Sequence, residues 1–175
     1  MFISGKGALT NSPAIGTDYH YAGNAQPTLL LGWSNTFRYG RFDLSIFLRG
    51  VFGNKIFNAT RADLFNVHVA TTNNILADAA GDKAGDVKNG YYSTRFIESG
   101  SFVRFDNATL GYSLKNIGEY VKTLRFYIST NNLFVITKYK GIDPEVNQGG
   151  VSPGVDYNNF YPKTRTFLFG ATVSF

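Results

Sequence analysis

The chain has 175 residues, a formal net charge of +5 and no cysteine. Aromatic residues make up 16% of it and charged residues 17%, and it contains 16 Phe, 11 Tyr and 19 Gly. This length suits one ordinary domain, and the composition favours strands over helices. The absence of cysteine excludes disulfide staples and thiolate metal sites, and a modest charge without a basic run does not favour nucleic-acid binding.

Transmembrane helices are not expected, because no stretch approaches the ~18 unbroken apolar residues that such a helix needs. Residues 1–7 lack the basic and apolar regions of a secretory signal peptide, so any export signal is expected elsewhere. A membrane β-barrel is compatible with the sequence, since each of its strands gives only a weak, alternating signal.

The first two predicted strands, residues 28–39 and 42–52, form a hairpin with a tight turn at Gly40-Arg41. Residues 1–27 precede them as an irregular segment that ends at Pro27. Apolar side chains alternate with polar ones along both strands, and the charged Asp43 and Arg49 lie opposite the apolar stripe. Such a pattern suits a strand with lipid on one side and a polar lumen on the other.

Residues 53–100 show no sustained strand period, and we interpret them as a long loop with a short helix at 73–80. Loops of this length are usually functional or disordered. Four aspartates in the loop lack the alternating spacing of a calcium loop, so they are interpreted as solvated charges. These are Asp63, Asp78, Asp82 and Asp86.

Three further strands are predicted, at residues 102–114, 123–137 and 164–175. In the strand at 102–114, Arg104 and Asp106 alternate in step with the apolar side chains. Charged side chains on a lipid-facing side are tolerated near the membrane interface, so the start of this strand is predicted to lie at a membrane rim. The phase of the next strand slips around Asn131-Asn132, where we expect a bulge. Residues 138–163 form the second long loop.

The connections alternate short, long, short and long, as in outer-membrane barrels with short periplasmic turns and long external loops. The sequence therefore predicts an all-β, antiparallel, up-and-down set of transmembrane strands. Five strands cannot close a barrel, because the smallest membrane barrels need ~8. A soluble sandwich or small barrel that binds an apolar ligand, or a structural assembly module, would show similar alternation and remains an alternative.

Several collinear segments resemble the SusC/RagA family of TonB-dependent outer-membrane transporters. They are Tyr21–Pro27, Leu31–Phe37, Phe42–Ser45, Arg49–Asn54, Ser101–Arg104, Asn107–Tyr112, Asn131–Phe134, Lys138–Glu145 and Tyr161–Thr166. The resemblance spans residues from about 21 to 175.

The resemblance implies that residues 28–175 are the last five or so strands of a plugged barrel of about 22 strands in the bacterial outer membrane. It also implies import of oligosaccharides or peptides with a SusD-like surface lipoprotein, energised by TonB through a part of the protein that this chain lacks. On this basis residues 1–27, 53–100 and 138–163 are external, and the chain is not expected to transport unaided.

Candidate contacts for a substrate or for the lipoprotein are the aromatic residues of the last long loop, which either stack on a ligand or pack the loop. They are Tyr139, Tyr157, Phe160 and Tyr161. The strand that ends at Phe175, with Val173 on the same face, resembles the signal recognised by the barrel-assembly machinery. No catalytic triad, carboxylate pair, cofactor site or metal site is predicted, since His20 and His68 are isolated, and we expect no enzyme.

Overall fold

The computed structural model describes residues 2–10, 12–14, 16–81, 93–146, 153–157 and 161–175. In chain order its elements are β1 (Phe2–Ile3), β2 (Leu9–Thr10), β3 (Leu29–Tyr39), β4 (Phe42–Phe52), β5 (Lys55–Asn58), α1 (Ala59–Leu64), α2 (Ala77–Gly81), β6 (Ile97–Ser99), β7 (Phe102–Ile117), β8 (Val121–Thr137), β9 (Val155–Asp156) and β10 (Thr166–Ser174). They fall into two units, which we call the sheet unit (28–52, 101–137 and 162–175) and the loop unit (1–27, 53–100 and 138–161).

The sheet unit consists of the five long strands in the order β10-β8-β7-β4-β3, and every neighbouring pair is antiparallel. Each of these strands pairs with the next long strand along the chain, which is the up-and-down arrangement that the sequence predicts. Gly40 adopts a φ of 59° in the turn between β3 and β4. A two-residue hairpin turn needs this left-handed conformation, which glycine adopts without steric cost.

The observed strands differ from the predicted ones at their ends. β7 extends to Ile117 rather than residue 114, and β8 begins at Val121 rather than residue 123, with Ile117 paired to Val121. Backbone pairing continues through the polar pair Lys115–Thr123, because the ladder does not depend on apolar side chains, and it ends on the apolar pair Ile117–Val121. β10 begins at Thr166 rather than residue 164, and the Lys163 and Thr164 carbonyls accept hydrogen bonds from the Asn132 amide instead.

The predicted bulge near Asn131-Asn132 is present. Asn107 pairs with Asn131 and Phe105 with Phe134, so two residues of β8 oppose one residue of β7, and Asn132 has a φ of 53°. Asp106 is in turn an extra residue relative to β4, where Phe47 pairs with Asn107 and Leu48 with Phe105.

This bulge corrects the prediction for Arg104 and Asp106. An extra residue reverses the parity of side chains along a strand, so the apolar set runs through Phe105 before the bulge and Ala108 after it. Arg104 is paired with Arg49 across the sheet, and residues directly opposite share a face. Arg104 and Asp106 therefore lie with the charged residues and not on the apolar face.

The register places most of the large apolar side chains of the five strands on one side of the sheet, which we call the apolar face. Its larger members are Leu31, Trp33, Phe37, Phe42, Leu44, Ile46, Leu48, Phe105, Leu110, Tyr112, Phe126, Ile128, Phe134, Phe167, Phe169 and Val173. The opposite side, the polar face, carries mostly small, polar or charged side chains. The apolar face is exposed: Phe169, for example, presents 76% of its surface and Phe126 presents 49%.

The loop unit has its own interior. α1 and α2 enclose a cluster of Ala62, Phe65, Ala79 and Phe96, in which the two phenylalanine rings meet edge to face at 5.8 Å. β5 pairs with β6 in antiparallel and with β9 in parallel orientation. The sequence did not predict these short strands or α1, and the predicted helix at 73–80 is observed only as α2. Short elements of this kind are fixed by non-local packing, and their residues show no periodic pattern of apolar side chains in the sequence.

The first part of the loop unit is a hairpin of β1 and β2. The Asp18 carboxylate accepts hydrogen bonds from the backbone N–H groups of Ala14 and Gly5, both at 2.8 Å. These bonds hold the pKa of Asp18 below its usual value. Among the helices that the structure describes, none is long and apolar enough to cross a membrane.

Candidate functional site

The polar face of the sheet unit carries two ion pairs. The Arg125 guanidinium Nε lies 3.0 Å from Asp43 Oδ1 and joins β8 to β4 across β7. A glycine, Gly111, occupies the intervening position of β7, and any side chain there would collide with both partners. The missing side chain is therefore what lets the pair close across three strands.

The second pair lies near the bulge. Arg49 Nε donates to Asp106 Oδ2 at 2.7 Å, and both side chains are about three-quarters buried, with 28% and 22% exposed. Arg104, which is 1% exposed, donates to the Asn132 side chain. The bulge thus turns Asp106 and Asn132 towards the arginines of the polar face. Asp43, Arg49, Arg104, Asp106 and Arg125 therefore all have polar partners on this face.

The loop unit contains a cavity of about 400 Å³. Its lining combines aliphatic, charged and aromatic side chains: Asn58, Thr60, Arg61, Leu64, Leu76, Asp78, Lys140, Gly141, Ile142, Val146, Asp156 and Tyr157. The volume lies within the range of small-ligand sites, and an apolar lining with a few polar groups is typical of them.

Glu98 connects the segments around this cavity. Its carboxylate lies 3.3 Å from Arg61 Nη1, and it accepts the backbone N–H of Lys140 at 2.8 Å. Asn58 caps α1 by accepting the Arg61 backbone N–H at 2.8 Å. The bond from Lys140 to Glu98 therefore joins the two long loops, and it is charge-assisted, which makes it stronger than a neutral hydrogen bond.

Asp156 forms a second junction. Its carboxylate accepts hydrogen bonds from the Thr60 hydroxyl, at 3.2 Å, and from the Tyr139 hydroxyl. The pKa of the Tyr139 phenol lies far above its usual value. Burial is the larger cause, and the hydrogen bond to Asp156 is the second. Tyr139 therefore stays protonated and remains a donor to Asp156 across the physiological pH range.

The four aromatic residues that the sequence singles out differ in position. Tyr139 is 6% exposed and packs with Ile56 and Val146, so its ring is enclosed rather than open to a ligand. Tyr157 is 59% exposed and lines the cavity, and Tyr161 is 80% exposed. Phe160 lies outside the described residues.

The residues proposed as an assembly signal lie at the end of the outermost strand. Val173 pairs with Leu124 of β8 and is 43% exposed, and Phe175 follows β10 with 77% of its surface exposed. Val173 lies on the apolar face of β10, and Phe175 follows Ser174, the last paired residue of that strand.

Sequence reasoning did not identify Arg61, Glu98 or Asp156 as site residues. Each is a single charge in a long loop, and nothing in the local pattern shows that they converge. The Asn58-Ala59-Thr60 segment did carry a usable signal, because asparagine is a preferred helix cap. Within the described part of the chain, no group of three or more potential metal ligands is found.

Sequence comparison places this chain among outer-membrane receptors. It is 35% identical over 161 residues to TonB-dependent receptor SusC of Bacteroides thetaiotaomicron, a match that covers 84% of the chain and 15% of that receptor. It is 28% identical over 194 residues to TonB-dependent receptor P3 of Formosa agariphila, covering 99% of the chain and 18% of the receptor. The chain thus spans less than a fifth of the length of these relatives. No family model matches it.

Solved structures agree on the fold. The chain matches the RagAB peptide importer in its closed-closed state with a TM-score of 0.75 at 23% identity, covering 97% of this chain and 20% of the other. A second RagAB peptide transporter structure matches with a TM-score of 0.73 at 22% identity, covering 96% and 19%. These relatives are named as receptors and importers rather than as enzymes. The chain belongs to the SusC/RagA family of TonB-dependent outer-membrane transporters and has the fold of a portion of their β-barrel.

Proposed function

We propose that the sheet unit forms the C-terminal wall of a transporter barrel, with its apolar face towards lipid and its polar face towards the lumen. The observation that carries this proposal is the separation of the two faces across five registered strands. Large apolar side chains stand exposed on one face, whereas the ion pairs Asp43–Arg125 and Arg49–Asp106 lie on the other. Soluble monomers rarely expose an apolar patch of this extent.

The two outer strands support the same proposal. Among the described strands β3 and β10 each have one neighbour in the sheet, and an open strand edge is not tolerated in lipid because its backbone groups lack hydrogen-bond partners. At ~4.8 Å between strands, five strands provide about 24 Å of barrel circumference. Further strands of the same receptor would pair with both edges and close the barrel.

The complete receptor would import oligosaccharides or peptides together with a SusD-like lipoprotein, and TonB would supply the energy through regions outside this chain. Residues 1–27, 53–100 and 138–163 would face the outside of the cell, where Tyr157 and Tyr161 would contact substrate or lipoprotein. Val173 and Phe175 would direct the last strand to the barrel-assembly machinery.

The orientation can be tested with two exposed tyrosines in the full-length receptor. Tyr157 belongs to the loop unit and Tyr120 to the short turn between β7 and β8; they are 59% and 80% exposed. A membrane-impermeant maleimide should label a Tyr157→Cys receptor in intact cells. It should label a Tyr120→Cys receptor only after the cells are lysed. Labelling of Tyr120→Cys alone in intact cells would reverse the orientation and contradict the proposal.

Transport itself is tested by deleting the receptor gene and measuring uptake of labelled oligosaccharides and oligopeptides. We expect the uptake of one of these two classes to be lost and to return with the wild-type gene. Unchanged uptake of both classes would refute a role in their import.

A further inference from the structure

Asp156 is a buried carboxylate whose partners are neutral. It is 5% exposed and accepts hydrogen bonds from the hydroxyls of Thr60 and Tyr139. Within the part of the chain that the structure describes, no lysine, arginine or histidine nitrogen lies within 4.0 Å of it. A buried charge is costly unless a counter-charge compensates it, so this site favours a cation.

The other charges around the cavity are arranged differently. Arg61 is paired with Glu98 at 3.3 Å and lies 3.9 Å from the largely exposed Asp78. Lys140 is exposed, and its backbone is held by Glu98. Asp156 is thus the one carboxylate of the lining that combines near-complete burial with purely hydroxyl partners among the described residues.

Another part of the cavity wall is suited to an apolar body. Leu64, Leu76, Ile142 and Val146 provide aliphatic surface, and the Tyr157 ring provides an aromatic surface that attracts cations. A volume of about 400 Å³ is enough for one or two amino-acid residues. An unsubstituted sugar, by contrast, would leave many hydroxyl groups against aliphatic side chains.

We propose that this cavity binds the protonated amino terminus of a peptide, with the ammonium group on Asp156 and the first side chain against the aliphatic wall. The inference rests on the proposed function in one respect: the loop unit must face the outside of the cell for the site to meet a substrate. It narrows the substrate class from oligosaccharide or peptide to peptides with a free amino terminus.

The experiment uses the full-length receptor, purified in detergent and studied by calorimetry at about pH 6.5, where an α-amino group is protonated. The probes are leucyl-leucinamide and its N-acetyl derivative, which differ in one positive charge at the amino terminus. We expect the free amine to bind about tenfold or more tightly than the acetylated form, because charged hydrogen bonds are the strong ones. Equal affinities would overturn the proposal, and this comparison needs no mutant.

A matched pair of variants then assigns the preference to Asp156. Asp156→Asn keeps the size and the acceptor oxygen but removes the charge, and it should reduce the preference for the free amine to about twofold or less. Asp63→Asn makes the same chemical change in α1 outside the cavity lining and should keep the wild-type preference. A full preference in Asp156→Asn would place the amine site elsewhere and contradict the proposal.

Glucosamine distinguishes an amino sugar from a peptide as the source of the ammonium group. It should compete at least about tenfold more weakly than leucyl-leucinamide, because it lacks an apolar body to cover the aliphatic wall; equal competition would refute the peptide assignment. The proposed orientation of the loop unit is tested separately by the maleimide experiment. If the impermeant maleimide does not label a Tyr157→Cys receptor in intact cells, the proposed function fails, whatever the peptide measurements show.

Discussion

The sheet unit and the loop unit arrange the same residue types in opposite ways. Phe169 in the sheet unit is 76% exposed, whereas Phe96 in the loop unit is completely buried. Arg125 and Asp43 pair on an open face of the sheet, whereas Arg61 and Glu98 pair inside the loop unit. This difference is the one expected if the sheet unit meets lipid, as we propose, and the loop unit meets water.

The largest effect is expected from Phe96→Ala in the loop unit. Truncating a fully buried phenylalanine costs about 3–5 kcal/mol because it leaves a cavity. Cleavage of the loops by protease in the full-length receptor should then be at least about a hundredfold faster, since it follows the population of the opened form. Phe169→Ala, the same change on the exposed face of β10, should leave loop cleavage unchanged; equal acceleration by both variants would remove the distinction between the units.

Leu110→Arg tests the apolar face directly. Leu110 lies on β7 with 44% of its surface exposed, and an arginine facing lipid near mid-membrane costs about 2–4 kcal/mol. We expect a lower yield of folded receptor in the outer membrane, measured by heat-modifiable migration on gels. Thr36→Arg, at nearly the same level on the polar face, should fold normally; a greater loss with Thr36→Arg would assign the faces the other way round.

Tyr139→Phe should loosen the loop unit by about 1.5–3 kcal/mol, because the buried Asp156 carboxylate loses one of its two hydroxyl donors. The rate of loop cleavage measures this change as well. Thr60→Val is the matched control for the other donor, and an unchanged rate in both variants would contradict a structural role for the Asp156 junction.

The same tyrosine predicts a pH dependence. Burial, and then the bond to Asp156, raises the pKa of Tyr139 in the folded loop unit above the ~10 of an unfolded chain. Unfolding therefore releases a proton from Tyr139 above about pH 10. The contribution of Tyr139 to stability is thus complete below that pH and declines above it. Loop cleavage in the wild type should accelerate between about pH 9 and 11 more than in Tyr139→Phe; identical profiles would contradict this prediction.

The smallest effect is expected for the ion pair of Arg49 and Asp106. A double-mutant cycle with alanine at each position should give a coupling energy of about 1 kcal/mol in urea unfolding of the full-length receptor, since both side chains are partly exposed. A coupling near zero would mean that the bulge, rather than the pair, determines how β4 and β7 meet.

The sheet could be predicted from the sequence because its information is local. Alternation along each strand assigned the apolar faces, and the slip at Asn131-Asn132 located the bulge. The parity of Arg104 and Asp106 could not be predicted, because the extra residue at Asp106 shows only in the pairing with β4.

The loop unit could be predicted only in part. Its strands have two to four residues, and β5 pairs with β9 in parallel across roughly a hundred positions, which leaves no periodic signal. Tyr157 was singled out for its residue type, whereas its neighbours Asp156, Arg61 and Glu98 converge only in the folded unit. Charges brought together by non-local packing cannot be recognised from spacing along the chain.

The central claim, that the apolar face of the sheet meets lipid, is tested most directly by spin labels along β10. This chain has no cysteine of its own, so labels can be attached one at a time at residues 167 to 173 in a full-length receptor with no other cysteine, reconstituted in lipid. We predict higher accessibility to oxygen, which concentrates in lipid, at Phe167, Phe169, Ala171 and Val173, and lower accessibility at Leu168, Gly170 and Thr172. The same accessibility at both sets, or the reverse alternation, would contradict the account.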